Sequence, residues 1–216
     1  MNSLIKKFFL NDWVQLIFIA FLISSCRAFV AEPRYIPSES MLPGLKIKDR
    51  LIIEKISLKK RDPKRGEIVV FNSPYSFDKG YIALRNNLPL PTKRYCFFMG
   101  LPPMSFIPGL RDGACDAYIK RVVALPGDMV SVNNKGEVFI NNKKINEPYI
   151  LSKCKLFDPC AEIKSQRVPN EHFLVLGDNR PNSADGRSWP GTFLPKEEII
   201  GRAYFRFWPF GRIGLF

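Results

Sequence analysis

The stretch YIPSESMLPG, residues 35–44, contains two serines that are separated by a single residue, Ser38 and Ser40. A serine hydroxyl becomes a nucleophile when a nearby base removes its proton. Pro37 and Pro43 flank the pair and restrict the backbone that carries it. The segment therefore has side chains suited to nucleophilic chemistry, although Ser-rich stretches between prolines are more often simple turns.

The base that such a serine needs is usually a histidine, and His172 is the only histidine in the chain. It lies in PNEHFLVLGD, at the start of a predicted strand, and the sequence contains no G-x-S-x-G nucleophile elbow. We therefore interpret His172 as structural. A metal-activated mechanism has no better support, because a lone histidine and scattered carboxylates form no ligand cluster, and we expect no metal or other cofactor.

A lysine remains as the base, provided that it is buried. An exposed lysine titrates near ~10.4, so only about one in a few thousand is neutral at pH 7, but burial in apolar surroundings can lower the pKa by several units. Lys120 in AYIKRVVALPGD meets this requirement, because Tyr118 and Val122 share its face of the predicted strand. The pattern is weak on its own, since a charged residue on a strand normally points to solvent.

The domain that must position these residues follows an apolar N-terminus. The chain has 216 residues, of which 46% are hydrophobic, which is enough for the core of one medium-sized domain plus an appendage. The run from Trp13 to Cys26 is almost free of charge and predicts one transmembrane helix within residues 1–30. A cleaved signal peptide is the alternative, but Arg27 interrupts the small-residue cleavage site that it needs. Basic residues on the two sides nearly balance and leave the orientation open.

The formal net charge is +13, and the lysines and arginines are spread along the chain instead of forming one block. No helix-turn-helix, zinc-finger or aromatic-basic RNA motif accompanies this charge, so we predict no nucleic-acid partner. A preference for an anionic lipid surface accounts for the same charge without further assumptions.

Five cysteines occur, with Cys26 at the end of the predicted helix and four in the rest of the chain. The absence of a C-x-x-C pair argues against a zinc site. The favoured disulfides join Cys154 to Cys160 and Cys96 to Cys115, and any disulfide would place the domain outside the cytosol. Free buried thiols are the alternative, and the sequence does not decide between the two.

Past the anchor, the chain is predicted to be mainly β. Short runs rich in Ile, Val and Phe are separated by Gly, Pro, Asn and Asp, and no helical period lasts long enough to predict a second long helix. We expect a barrel or two-sheet domain over residues 31–216, with an apolar, proline-rich insertion at about 81–117 that packs on the barrel or a bilayer. The predicted strands are DRLIIEK, GEIVVF, YIKRVVAL, VSVNNKGEVFI with a hairpin turn at NNKG, EHFLVLGD and IIGRAYFRF.

Four segments follow the apolar N-terminus in a fixed order: IPSESMLP, RGEIVVF, YIKRVVALPGD and GDNRPNSADGR. They resemble the ordered motifs of the bacterial type I signal peptidases, membrane-bound Ser/Lys proteases that remove export signals. The resemblance covers Pro33 to about Gly211 with a gap at the insertion, and ESMLPG is similar to the photosynthetic-bacterial and thylakoid branch. It implies a signal-peptidase-like β fold and cleavage after small residues at Ala-x-Ala junctions.

The resemblance also implies roles for individual residues. Ser40 matches the nucleophile and Lys120 the general base, while the Ser38 hydroxyl and the Ser40 backbone N–H match the oxyanion hole. Ser183 matches the hydroxyl that orients the lysine amine. The other matches are polar residues that support the site and apolar residues that line the substrate pockets. These two sets are Asp178, Asp185 and Arg187, and Ile36, Met41, Leu45 and Ile119.

For the whole protein, the resemblance implies a single pass through a cell (inner or plasma) or thylakoid membrane, with a cytoplasmic N-terminus and an exported catalytic domain. Its partners would be membrane lipid and the signal peptides of secretory precursors, which would add as a strand beside EPRYIPS. A membrane-tethered, non-catalytic β binding module and a self-cleaving Ser/Lys regulator are the alternatives. Pro181 and Gly186 depart from the common family pattern, which puts the loop geometry in doubt but not the chemistry.

Overall fold

The structure is a computed structural model that describes residues 12–84, 89–91, 95–96, 113–150, 152–155, 157 and 159–216. Its helices are α1 (Asp12–Phe29), α2 (Ser57–Lys60), α3 (Pro74–Phe77) and α4 (Lys79–Ala83). Its strands are β1 (Ala31–Tyr35), β2 (Arg50–Glu54), β3 (Ile68–Asn72), β4 (Ala117–Ala124), β5 (Met129–Val132), β6 (Val138–Ile140), β7 (Lys143–Lys144), β8 (Ile163–Arg167), β9 (His172–Leu176), β10 (Leu194–Pro195), β11 (Ile199–Trp208) and β12 (Gly214–Leu215).

The strands form two antiparallel sheets. The larger sheet has the order β1-β2-β11-β3-β4-β9-β10, with β12 also paired to β11, and the smaller has the order β7-β6-β5-β8. The central strand β3 reads IVVFN and is buried on both faces, whereas β5 and β6 alternate between buried and partly exposed residues. Such alternation is typical of a sheet with one face on the core. The prediction of a mainly β, two-sheet domain is confirmed.

Three clusters of apolar side chains hold the sheets together. The first joins the smaller sheet to β9, and includes Val130, Val138 and Leu176. The second lies beneath the loop that follows β1, and the third packs around Phe71 and Trp189. Each fully buried Val, Leu or Ile stabilises the fold by about 1.5–3 kcal/mol relative to an exposed one.

The cysteines of the β domain are paired as disulfides. Cys96 is bonded to Cys115 and Cys154 to Cys160, whereas Cys26 is free and exposed. Both cysteines of the second disulfide contact the hairpin turn between β5 and β6, where the Cys160 N–H donates to Asn134 O over 2.9 Å and the Cys154 N–H to Lys135 O over 3.3 Å. Gly136 completes this turn with a φ of 75°, a left-handed conformation that favours glycine.

Helix α1 covers most of the segment that was predicted to be a membrane anchor. Its large apolar side chains, including Trp13, Ile17 and Phe21, are exposed. Among the helices that the structure describes, none combines the length and apolarity needed to cross a membrane. Residues 1–11 of the predicted anchor and much of the predicted insertion at 81–117 lie outside the described residues.

Candidate active site

The Ser40 hydroxyl and the Lys120 amine lie in direct contact, with Lys120 Nζ donating to Ser40 Oγ over 2.7 Å. Both side chains are buried, since Lys120 is 4% exposed and Ser40 is 8% exposed. The two residues are 80 positions apart in the chain, so only the folded sheet brings them together. The structure thus places the predicted nucleophile beside the predicted base.

Lys120 lies in an inner strand, and the loop that carries Ser40 covers its amine. β4 lies between β3 and β9 in the larger sheet, and Lys120 is the cross-strand partner of Val69. The ring of Tyr118 covers the amine on one side, with its centre 5.9 Å from Nζ. A lysine on an exposed edge strand would point to water, but this one has its amine inside the protein.

Burial lowers the pKa of Lys120 from its ordinary value to about 8. The negative charges of Asp185 and Asp178 oppose this effect, because they favour the ammonium form, and the positive charge of Arg187 reinforces it. With a pKa of about 8, about one amine in ten is neutral at pH 7, compared with about one in a few thousand for an ordinary lysine. A neutral amine at this distance can accept the proton of the Ser40 hydroxyl.

The loop that carries Ser40 is held from two sides. From below, Met41 and Leu45 are fully buried in the second apolar cluster. From above, the Asn179 N–H donates to Ser40 O over 3.1 Å, and its side-chain amide donates to Glu39 O over 3.1 Å. These contacts fix the backbone on both sides of the nucleophile. The sequence analysis missed Asn179, although it lies in the polar run GDNRPNSADGR that was singled out.

Ser183 lies against the same backbone. A Cβ at Gly177 would lie 2.2 Å from Ser183 Oγ and 2.5 Å from Ser40 O, so only glycine permits this close approach. The Ser183 hydroxyl is buried and lies near the Asp185 carboxylate, whose pKa it helps to lower, and no contact with the Lys120 amine is seen among the described residues. Its role in orienting the Lys120 amine stays a prediction.

Asp185 and Arg187, two residues that were predicted to support the site, form an ion pair. Arg187 donates from Nε and Nη2 to the two carboxylate oxygens of Asp185, each over 2.8 Å. The Gly177 N–H donates to the same carboxylate over 2.9 Å. Burial alone would raise the pKa of Asp185, but these donors and the charge of Arg187 hold it below its ordinary value. Asp185 is therefore a fixed negative charge near Lys120.

Asp178 has a partner that the sequence analysis did not predict. Arg121, the neighbour of Lys120 in β4, donates to both oxygens of the Asp178 carboxylate, over 2.8 Å from Nε and 2.6 Å from Nη2. Fork-shaped pairs of this kind fix both side chains in one orientation. The pairing was not visible in the sequence because it depends on β4 lying beside β9, whose end leads into the loop that carries Asp178.

A cleft of ≈ 550 Å³ opens beside the Ser40–Lys120 pair. Ile36 and Ile119 line it, as predicted for the substrate pockets, while Met41 and Leu45 lie behind its wall in the apolar cluster. Ser38 lies at the exposed rim, with its hydroxyl 3.4 Å from Ser40 Oγ. The cleft also borders β1, which pairs on one side with β2 and forms an edge of the larger sheet in the described part of the chain.

A larger cavity, of ≈ 970 Å³, lies elsewhere and includes His172. His172 Nδ1 is 2.8 Å from Asn170 O. No serine, threonine or cysteine occurs among the described residues that line this cavity, so it offers no nucleophile for His172 to activate. Size alone therefore does not mark the reactive centre, and the smaller cleft is the candidate active site.

At Gly186, in the loop between β9 and β10, the sequence departs from the common family pattern. A Cβ at this position would lie 2.5 Å from Thr192 O and 2.8 Å from a methyl carbon of Leu174. Any residue with a side chain would therefore require the surrounding backbone to move, which gives a local reason for glycine at this position.

The chain is similar to known signal peptidases. The family described as "Signal peptidase, peptidase S26" matches residues 10–208. "Probable signal peptidase I-2" of Synechocystis sp. is 43% identical over 209 residues, which are 95% of this chain and 78% of that protein. "Thylakoidal processing peptidase 1, chloroplastic" of Arabidopsis thaliana is 33% identical over 85% of this chain and 44% of that protein. The crystal structure of a signal peptidase I from Enterococcus faecalis matches with a TM-score of 0.39 and 22% identity, over 66% of this chain and 97% of that one.

Proposed function

The chain belongs to the signal peptidase family, peptidase S26, and we propose that Ser40 and Lys120 are its catalytic dyad. As a member of this family, the protein is a serine endopeptidase that removes signal peptides from exported precursor proteins. The contact of 2.7 Å between Lys120 Nζ and Ser40 Oγ is the observation that supports the assignment of the dyad. A binding module without catalysis gives no reason for a buried lysine whose pKa is lowered to about 8 and whose amine contacts a serine hydroxyl.

Catalysis begins when neutral Lys120 accepts the proton of the Ser40 hydroxyl as Oγ attacks the scissile carbonyl carbon. The carbonyl oxygen becomes an oxyanion, which the Ser40 backbone N–H and the Ser38 hydroxyl stabilise by hydrogen bonding. The Lys120 ammonium then donates its proton to the leaving amine, and the peptide bond breaks. A water molecule, deprotonated by the same lysine, attacks the acyl-enzyme and releases the signal peptide with Ser40 restored.

The substrate fits as an extended strand along the free side of β1. Main-chain hydrogen bonds to an edge strand align a peptide without reading its sequence, and pockets for alternate side chains supply the specificity. Ile36 and Ile119 in the cleft wall leave room for small side chains near Ser40. Met41 and Leu45 lie behind this wall, and because they are fully buried, they limit how deep the pocket can extend.

The cleavage assay tests this proposal directly. We expect the purified full chain in detergent micelles to cut a precursor after an Ala-x-Ala junction. Replacing the alanine before the cut by leucine should lower kcat/KM by about 10- to 200-fold or more, because the pocket has no room for the added methylenes. The same replacement two residues after the cut is the matched control. No cleavage of the unaltered precursor would contradict the proposal.

The pH dependence tests the base. Because Lys120 acts in its neutral form and its pKa is about 8, kcat/KM should rise with pH through about 8, with a value at pH 7 about tenfold below the plateau. A histidine base would instead give a rise near pH 6 to 7. We expect His172→Ala to keep the wild-type profile. A limb near 6.5 that disappears in folded His172→Ala would exclude the lysine mechanism.

We also propose a membrane location for the catalytic domain, on the exported side of a cell or thylakoid membrane, with residues 1–30 as the anchor and a cytoplasmic N-terminus. The disulfides support an exported domain. The C-terminal segment exposes large apolar side chains, with Phe210 73% exposed beside Trp208. Aromatic residues of this kind favour the interface between lipid and water. We propose no nucleic-acid partner.

A further inference from the structure

A short turn after the smaller sheet, Glu147–Pro148–Tyr149, reaches the surroundings of the dyad. It follows β7 in the chain, far from the motifs that contain Ser40 and Lys120. The ring of Tyr149 stacks on the guanidinium of Arg121, whose central carbon is 4.0 Å from the ring centre. The Arg121 guanidinium thus contacts the ring of Tyr149 and the Asp178 carboxylate, and its Nη1 also donates to Gly66 O over 2.7 Å.

Glu147 makes a second connection from the same segment. Its carboxylate pairs with Arg180, which is 2% exposed, and accepts a hydrogen bond of 2.8 Å from the Tyr149 hydroxyl. Arg180 donates from Nε to Gly177 O over 3.1 Å, and also contacts Gly136 O. Glu147 therefore holds a buried arginine that belongs to the loop bearing Asp178 and Asp185.

We propose that Glu147 and Tyr149 are positioning residues for the general base. Tyr149 keeps Arg121 on Asp178, and Glu147 keeps Arg180 in place within the loop that bears Asp178 and Asp185. The charges around the Lys120 amine then stay in one arrangement. The inference rests on the proposed role of Lys120 as the base. Neither residue touches the reacting atoms, so both act through the two arginines.

The electrostatic consequence follows from the charges that face each group. Lys120 responds to Asp185 and Asp178, which favour its ammonium form, and to Arg187, which disfavours it. The negative charge of Asp178 is balanced by Arg121, which donates a hydrogen bond to each oxygen of the carboxylate. If Arg121 swings toward solvent, the Asp178 charge acts on Lys120 without a partner. The ammonium form gains stability, and the lysine becomes a poorer base at neutral pH.

Tyr149 itself is suited to this role. Burial and the negative charge of Glu147 raise the pKa of Tyr149 well above its ordinary value, so its hydroxyl remains a donor to Glu147. The positive charges that face it are those of Arg121 and Arg180. An aromatic face on an arginine that is largely removed from water stabilises the stacked position more than a surface contact does.

The test compares kcat/KM against pH for the full chain in micelles. Tyr149→Leu removes the ring face, and we expect the rising limb to move up by about 0.5 to 1 pH unit, the effect of one partly screened charge at an effective dielectric constant of about 20. The loss should be several-fold at pH 7 and should disappear on the alkaline plateau. Tyr149→Phe keeps the ring and should keep the wild-type limb.

Tyr204→Leu is the matched control, because Tyr204 stacks on Arg202 in the same way, at 5.1 Å, but away from the cleft. It should leave the profile unchanged. If Tyr149→Leu does not fold, Tyr149→Met fills a similar volume without a ring face. A folded Leu or Met variant with an unshifted limb, or with an equal loss at every pH, would overturn the inference. A Phe variant shifted as far as the Leu variant would overturn the role of the ring.

These outcomes are separable from a failure of the dyad itself. If Ser40→Ala is inactive and the Tyr149 variants keep the wild-type limb, the dyad stands and the positioning role falls. If Ser40→Ala stays active, the proposed function is wrong, whatever the Tyr149 variants show.

Discussion

Replacing either Ser40 or Lys120 by alanine is expected to lower kcat/KM for an exported precursor by about 10⁴- to 10⁶-fold, as in other serine peptidases whose nucleophile or base is removed. Ser40→Ala removes the atom that forms the acyl-enzyme. Lys120→Ala leaves the Ser40 hydroxyl with no group to accept its proton. Among the described residues, the base in contact with Ser40 Oγ is the Lys120 amine. The measurement is single-turnover cleavage at several pH values.

The double variant separates a dyad from two independent contributions. Because the two side chains act as one unit, Ser40→Ala combined with Lys120→Ala should be hardly worse than either single change. Lys120→Met is the companion variant, since it fills the buried site without an amine. Ser165→Ala and Lys164→Ala, at exposed positions of β8, are matched controls that should keep full activity. A Ser40→Ala protein that retains a tenth of the activity would reject the assignment.

The family was predictable from the sequence, whereas the burial of Lys120, the proposed base, was not. Four ordered motifs indicated a signal peptidase, and the match over residues 10–208 confirms it. The alternation along AYIKRVVALPGD could not tell a lysine that points to solvent from one that points inward. The difference is made by the segments that cover this face of β4, which are the loop that carries Ser40 and the loop after β9 that carries Asp178 and Asp185, and their placement is a property of the whole fold.

The strands were predictable to the extent that their side chains are apolar. Strands β2, β3, β4, β9 and β11 coincide with the runs rich in Ile, Val and Phe. Strands β7 and β8 read KK and IKSQR, and most of their residues are exposed, so they carry no apolar pattern to read. Strands of two residues, such as β10 and β12, are too short to show a period.

Residues that act through backbone or through long-range ion pairs were the least predictable part of the site. Asn179 binds the backbone on both sides of Ser40, and Glu147 reaches Arg180 from the turn after β7. Such contacts depend on tertiary distances that leave no spacing in the sequence. Met41 and Leu45 show the same limit, because the resemblance predicted that they line the substrate pockets, whereas both are fully buried in the apolar cluster behind the cleft wall.

Ser38→Ala is expected to lower kcat by roughly a hundred- to a thousand-fold, because one hydrogen-bond donor to the oxyanion is lost. KM should change little, because the neutral carbonyl of the bound substrate interacts with that donor more weakly than the oxyanion does. The geometry allows this role. The Ser38 hydroxyl lies 3.4 Å from Ser40 Oγ, and it is exposed on the cleft side, where a carbonyl oxygen bonded to the attacked carbon would come within its reach. Pro37 restricts the backbone that presents it.

Ser38→Thr separates the hydroxyl from the rest of the side chain. It keeps a donor at the same position and should recover most of the rate, whereas Ser38→Val, with a similar shape and no hydroxyl, should resemble Ser38→Ala. The pH profile provides the control, since the rising limb belongs to Lys120 and should stay near 8 in all three variants. If KM rises in Ser38→Ala while kcat stays, the hydroxyl binds the substrate in its ground state, and the oxyanion would then depend on the Ser40 backbone N–H and on a donor other than Ser38.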